Sequence, residues 1–243
     1  MKKFMSLIAI AAMALVCTAG NALAYFEDGN LIRVVYSETT DIEVATDLGA
    51  ITGLLDGTTI TANPIDIAQF GGASFADLNV AYMVLDSMAN ADGIYLTGGV
   101  DQAPVNNALA YGSFRSAMYQ VGAKFRALSA GSAVVSHAKN DSVSYYRNMD
   151  YLGAGPGIFA NFVGPVGIGE VSLAALATGG EVMQGLYSFA TPTVSDSAEL
   201  VAYITTLADG STVVAPAAVP VPASVLLFGT GLVGLIGLRR KSA

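Results

Sequence analysis

The residues that most restrict this chain are at its C-terminus. From Ala223 to Leu238 run sixteen apolar or small residues, "ASVLLFGTGLVGLIGL", and Arg239, Arg240 and Lys241 follow directly. Such a run has no polar face to turn toward water, so it does not belong to a half-wet sheet or a surface helix. A membrane-spanning helix needs about 20 apolar residues, within a range near 17–25. The run is slightly short, but its flanks extend it. Gly229, Gly231, Gly234 and Gly237 cost helix stability in water, yet are tolerated in a bilayer and allow close helix approach. The terminal cations stay cytoplasmic by the positive-inside rule. The expectation is a transmembrane helix with a basic tail over 223–243. A buried C-terminal helix of a globular domain is the competing possibility, and the clustered cations oppose it.

The front of the chain is a second targeting segment. Lys2 and Lys3 precede an apolar stretch from Phe4 to Val16, and Ala22-Leu23-Ala24 makes a small-x-small site before Tyr25. This is the order of a secretory signal peptide over 1–24, cut after Ala24. An uncleaved anchor is the alternative. Lipidation at Cys17 is disfavoured, because Ala14-Leu15-Val16 lacks a small residue directly before the cysteine. Cys17 is the only cysteine, so the mature chain has neither disulfides nor cysteine metal sites.

Between domain and tail lies "APAAVPVP", a Pro/Ala linker over 215–222. Pro220 and Pro222 fix a stiff, extended entry to the apolar run. Taken in order, "VPVPA", the Gly-rich run and the basic end resemble the PEP-CTERM sorting signal of Gram-negative bacteria. Val221 stands where the commoner form has Glu, and variants with an apolar residue there look like the same class. The resemblance covers Val219 to Lys241. It implies recognition by an exosortase-type membrane processing enzyme, an integral-membrane cysteine transpeptidase or protease that cuts near Pro-Val-Pro. It also implies a surface or extracellular-matrix protein in bacteria that make exopolysaccharide. The recognition elements implied are Pro220, Pro222, Gly229, Gly231, Gly234, Arg239 and Arg240, as substrate features rather than catalytic groups.

The middle of the chain, Tyr25 to Val219, has six basic against nineteen acidic residues, a balance of −13 compared with −8 overall. That balance excludes a nucleic-acid partner, which needs clustered cations, and suits a soluble exported domain. An acidic surface also attracts Ca²⁺. No cofactor is otherwise implied.

Within this region the pattern is mainly β. "NLIRVVYSE", "DIEVATD", "TTITANPIDIAQF" (broken at Asn63-Pro64), "LNVAYMVLD", "GIYLTGG", "EVMQGLYSF" and "AELVAYITTL" read as strands between Gly and Asp turns. Asp209-Gly210 between "VAYITTL" and "STVV" is a hairpin signal. Phe114, Met118, Val121, Phe125 and Leu128 recur at helical steps. Val171 to Thr178, closed by Gly179-Gly180, is a second short helix. The fold class expected is an antiparallel, β-sandwich-like ectodomain over 25–214 with one or two short helices.

Residues able to do chemistry are few. His137 is the only histidine, and Ser132 in "SAGSAVV" lacks the G-x-S-x-G elbow of a hydrolase nucleophile. Zinc sites of the usual ligand sets are excluded. The pairs Asp41 with Glu43, and Asp86 with Asp92, carry no glycosidase signature. "DSMANADG" fails the calcium-loop pattern at Met88. Tyr145, Tyr146 and Tyr151 offer stacking rings for a sugar, although strand aromatics usually pack in cores. The expectation is a non-enzymatic structural or adhesive protein linked to exopolysaccharide or biofilm. The alternatives are a carbohydrate- or calcium-binding module, a secreted hydrolase with an unrecognised site, and a permanent membrane protein.

Overall fold

A computed structural model describes residues 25–55, 57–85, 94–100, 111–149, 169–189 and 198–217. The strands are β1 (Asn30–Ser37), β2 (Glu43–Ala50), β3 (Thr58–Ile60), β4 (Leu78–Val84), β5 (Ile94–Gly98), β6 (Val134–His137), β7 (Val171–Ser172), β8 (Val182–Phe189), β9 (Glu199–Thr206) and β10 (Thr212–Pro216). They form one antiparallel sheet in the order β3-β10-β9-β8-β5-β4-β1-β2-β6, with β7 added against β4. Among the described residues the α-helices are α1 (Ile51–Leu54), α2 (Tyr111–Ser129) and α3 (Tyr145–Asn148).

The sheet is curled. Arg33 on β1 donates from Nη1 to Gly210 O (3.0 Å) and Thr212 Oγ1 (3.1 Å), although four strands separate β1 from β10 in the sheet order. Tyr82 on β4 likewise brings its hydroxyl to 2.6 Å from Thr206 Oγ1 on β9. Alternation then gives the sheet two buried sides. Leu31 and Val35 of β1, with Val80 and Val84 of β4, face the inside of the curl with Leu186, Ala202, Ile204 and Val214. Ile32, Val34 and Tyr36 of β1, with Ala81 and Met83 of β4, face outward beneath α2. Both strands are therefore buried on both faces. A mainly antiparallel β fold is what the sequence pattern indicates, realised as one sheet folded on itself.

Helix α2 uses the spacing read from the sequence. Met118, Val121 and Phe125 are buried against the outer side of the sheet with Ala117, each fully buried large side chain contributing about 1.5–3 kcal/mol. A Cβ at Gly122 would stand 2.9 Å from Leu85 Cδ2, so glycine lets the helix lie close to the end of β4. Leu128 departs from the expectation, since it is 40 % exposed. The last turn of α2 leads into β6, the edge strand, where little sheet remains to cover it. The Phe114 side chain lies outside the described residues.

The segment expected as a second helix is instead β7 followed by a 3₁₀ turn, Leu173–Thr178. Val171 and Ser172 pair with Val80 and Asn79, which claims the first turn for the sheet. Gly179 closes the segment at φ 78°, as a left-handed cap. The β9–β10 hairpin is present. Leu207 N donates to Ser211 O (2.9 Å), and Gly210 sits at φ 79°.

Gly210 is where a side chain is least tolerated. A Cβ there would meet Ile65 N at 2.7 Å and Ile65 O at 2.8 Å, and the backbone is left-handed. Ile65 N also donates to Gly210 O (3.0 Å), so the turn cannot retreat without losing that bond and the one from Arg33. Gly210→Ala is expected to lower stability by at least about 2 kcal/mol, or about 4–8 °C in melting temperature. Gly179→Ala has the same backbone strain but open space around it. It should cost about half as much in the same thermal melt.

Candidate functional site

The residues with chemical potential converge at the corner where β2, β6 and α3 meet. Glu43 opens β2 and is completely buried. Its Oε1 accepts from Tyr145 N and its Oε2 from Tyr146 N, both at 2.8 Å. These are first-turn N–H groups of α3, which have no partner within the helix. His137, its neighbour across the β2–β6 ladder, places Nε2 2.9 Å from Glu43 Oε1, in ion-pair contact but without hydrogen-bond alignment. The imidazole meets Phe125 edge-on at 5.8 Å.

Around this pair the 138–149 segment is tied down group by group. Lys139 is buried. It donates from Nζ to Ser37 O (2.5 Å) and lies 4.6 Å from the centre of the Tyr146 ring. Ser144 caps α3 by accepting from Arg147 N (3.1 Å), and its hydroxyl donates to Lys139 O (2.5 Å). Tyr145 donates its phenol proton to Glu170 Oε1 (2.7 Å). Asp41 Oδ1 accepts from both Asn140 N (2.8 Å) and Asn140 Nδ2 (2.9 Å). Lys124 of α2 pairs with Asp141 at 2.7 Å.

This arrangement holds a loop and leaves little room for a substrate. The Glu43 carboxylate is occupied by two main-chain donors and the imidazole, and the His137 side chain is only 6 % exposed. Asp41 and Glu43 engage different parts of the segment and do not face a common space. Ser132 and His137 lie at opposite ends of β6, and the Ser132 hydroxyl is taken up locally by Val134. Tyr145 and Tyr146 are committed to the same corner rather than presented as a platform. Tyr151, Asp86 and Asp92 lie outside the described residues. Among the described residues no group of three or more His, Cys, Asp or Glu could hold a metal ion. Sequence reasoning missed Lys139 and Glu170. The one usable signal was Glu43, a charge in a strand whose neighbours are apolar.

The other functional element is the C-terminal exit. Ala215 and Pro216, read from the sequence as the start of the linker, are the last residues of β10, opposite Tyr203 and Ala202 of β9. Ala217 N still donates to Val201 O (3.2 Å). Only Ala218 and Val219 separate that last bonded residue from Pro220, a contour of about 10 Å. At the front, Phe26 is fully buried against Phe125. Its N–H is held by Asp47 Oδ2, and its carbonyl accepts from Arg126 Nη1 (3.2 Å). The expected signal-peptide cut, between Ala24 and Tyr25, therefore falls two residues from a buried anchor. Ala22 and Ala24 lie outside the described residues, as do Pro220, Pro222, Gly229, Gly231, Gly234, Arg239 and Arg240. Among the described residues no helix is long and apolar enough to cross a membrane.

Removing Glu43 would strand two main-chain N–H groups and a buried imidazole. Glu43→Ala is expected to cost at least about 3 kcal/mol in a denaturant melt, and Glu43→Gln less, because the amide oxygen can still accept one bond. Three carboxylates give the fold a dependence on acid. Hydrogen bonds from Ser74 hold Asp77 below its ordinary value of 3.8, the Lys124 ammonium does so for Asp141, and Ser211 does so for Asp209. Groups lowered in the folded state stabilise above the unfolded value and lose that contribution as pH falls through the folded one. Melting temperature should hold down to about pH 5 and drop below about pH 4. The drop should be shallower in an Asp77→Asn, Asp141→Asn, Asp209→Asn triple variant.

Comparison with known proteins places the tail. Residues 218–241 match the model of the PEP-CTERM protein-sorting motif. No curated protein and no solved structure matches the chain. The motif begins at the residue after Ala217, where the described domain ends, and it contains both prolines, the Gly-rich run and the basic cluster singled out above. The chain is thus an exported protein, sorted through a C-terminal PEP-CTERM motif that an exosortase recognises and held transiently at the membrane on the way.

Proposed function

We propose that the exosortase-type enzyme cuts near Pro220–Pro222 and delivers the β ectodomain to the cell surface or extracellular matrix. There it serves a structural or adhesive role within an exopolysaccharide-rich biofilm. In this reading the chain is not an enzyme and needs no cofactor. The observation that carries it is the join at Ala217: the last described strand, β10, ends at Pro216 and the sorting motif begins at residue 218, so a cut near Pro220–Pro222 falls beyond the strand. The Glu43–His137 corner supports a passive domain, since the Glu43 carboxylate accepts from two main-chain N–H groups and the Lys139 ammonium donates to a main-chain carbonyl.

Intact-mass measurement on protein from the cell surface and the culture medium tests the reading. The expected chain starts at Tyr25, ends between Pro220 and Ala223, and lacks Arg239 and Arg240. Any added mass at that end would identify what it is joined to. Replacing Arg239 and Arg240 by Ala should leave full-length protein in the inner membrane. A native chain found only as the full-length, membrane-bound form would sink the proposal.

A further inference from the structure

The first residues of the described domain are held more firmly than a chain terminus usually is. Phe26 is fully buried, its ring packs on Phe125 of α2 at 5.7 Å, and Tyr25 lies partly buried against the same cluster. The Phe26 carbonyl accepts from Arg126 Nη1, and its N–H donates to Asp47 Oδ2 on β2. Its backbone is left-handed, at φ 60°, which a residue with a Cβ adopts only where its surroundings hold it there.

Asp47 is buried among donors that carry no charge. Oδ2 accepts from Phe26 N and Asn30 Nδ2 (2.9 Å), and Oδ1 from Gly49 N (2.8 Å). Among the described residues the ion pairs are Lys124–Asp141, Arg126–Asp28 and His137–Glu43, none of which involves Asp47. The three bonds engage the oxygens, but a buried carboxylate still lacks the opposite charge. The charged groups nearby do not supply it. Arg126 on α2 is taken by Asp28 (3.1 Å) and by the Phe26 carbonyl, and Glu27 and Asp28 are themselves acidic. In the precursor the nitrogen of Tyr25 is a neutral amide. A cut after Ala24 turns it into an ammonium, one residue from the N–H that Asp47 holds. Three backbone bonds and one hydrogen bond put that ammonium within about 7 Å of Asp47 Oδ2, whatever the Tyr25 dihedrals.

We propose that removal of the signal peptide creates the counter-charge of Asp47: the new α-ammonium of Tyr25 pairs with that carboxylate and latches the N-terminus between β2 and α2. The fold is then tightest only after export, when the precursor has been cut. The inference rests on the cut after Ala24, which is checked separately below, and not on the fate of the tail.

The test uses the full-length exported chain solubilised in detergent. One form has the native sequence, and a second carries two serines inserted after Ala24, which moves the ammonium about 7 Å along the chain. Intact mass is expected to start the native chain at Tyr25 and the other at the inserted serines. The inserted form should melt about 2–4 °C lower at about pH 7. In an Asp47→Asn background the insertion should change melting by less than about 1 °C. A paired ammonium has its pKa raised above the ordinary α-amino value of about 7.7–8.0, so its contribution is full below about pH 7 and is lost as pH rises through the folded value. The gap between the two forms should therefore close by about pH 10, whereas a purely steric effect of the insertion would persist. If the Asp47→Asn protein fails to fold, the pH series carries the test. A native chain that starts elsewhere, equal melting near neutrality, or a gap that survives in alkali or in Asp47→Asn would each overturn the latch.

Discussion

The curl of the sheet depends on a polar contact made across its inside. An antiparallel sheet of this width twists, but twist alone does not bring its first strand against its last hairpin. Arg33 and Tyr82 do so, by reaching the β9–β10 turn from the two central strands. Apolar closure alone would permit many registers between the two halves. The guanidinium and the phenol admit few, because each must find acceptors at fixed positions or be buried unpaired. The consequence extends to Gly210, whose carbonyl is shared by Arg33 and Ile65. The hairpin turn, the Asn63–Pro64 break and the centre of the sheet are thereby fastened at one point. Arg33 and Tyr82 together therefore fix the register between the two halves of the sheet.

This is also where the sequence is hardest to read. In "LIRVVY" the arginine looks like the wet position of an alternating strand, with Ile32 and Val34 on the dry side. The structure buries both sides, so the pattern that signals a half-exposed strand here marks a fully enclosed one. Thr46, Thr206 and Thr212, which also point inward, look equally ordinary, because hydroxyl residues occur on either face of strands. The strands themselves were legible from β-branched residues between turn signals, and the β9–β10 hairpin from Asp209-Gly210. Those signals are local. The order β3-β10-β9-β8-β5-β4-β1-β2-β6 depends on pairings between distant parts of the chain, Glu43 with His137, Ile94 with Phe189 and Ile60 with Thr212, and no short-range pattern encodes it.

The corner built on Glu43 shows the same division. A carboxylate at the start of an apolar strand suggests an acid beside the lone histidine, and the two do meet. What the chain alone conceals is that α3 begins there, so that main-chain N–H groups occupy the carboxylate first. The pairing that would suggest catalysis is thereby turned into an anchor for the 138–149 segment. The helix α2 lies between these cases. Its spacing was readable at Met118, Val121 and Phe125, where sheet lies beneath it. It failed at Leu128, where the helix has reached the sheet edge and nothing requires burial.

The sorting tail was the most legible part because it must be read by another protein as a linear string. Its elements occur in order and need no fold to be recognised. The join between string and fold was not legible, since Ala215 and Pro216 look like linker yet belong to β10. Proline suits this place, because an end residue near the sheet edge can lack an N–H without breaking the ladder. Beyond it a contour of only about 10 Å remains before Pro220. A folded domain on so short a tether is held within about 20 Å of the start of the apolar run. An enzyme that cuts there must accept the end of the sheet as its neighbour. The place where β10 ends therefore sets how closely the folded domain sits to the sorting motif.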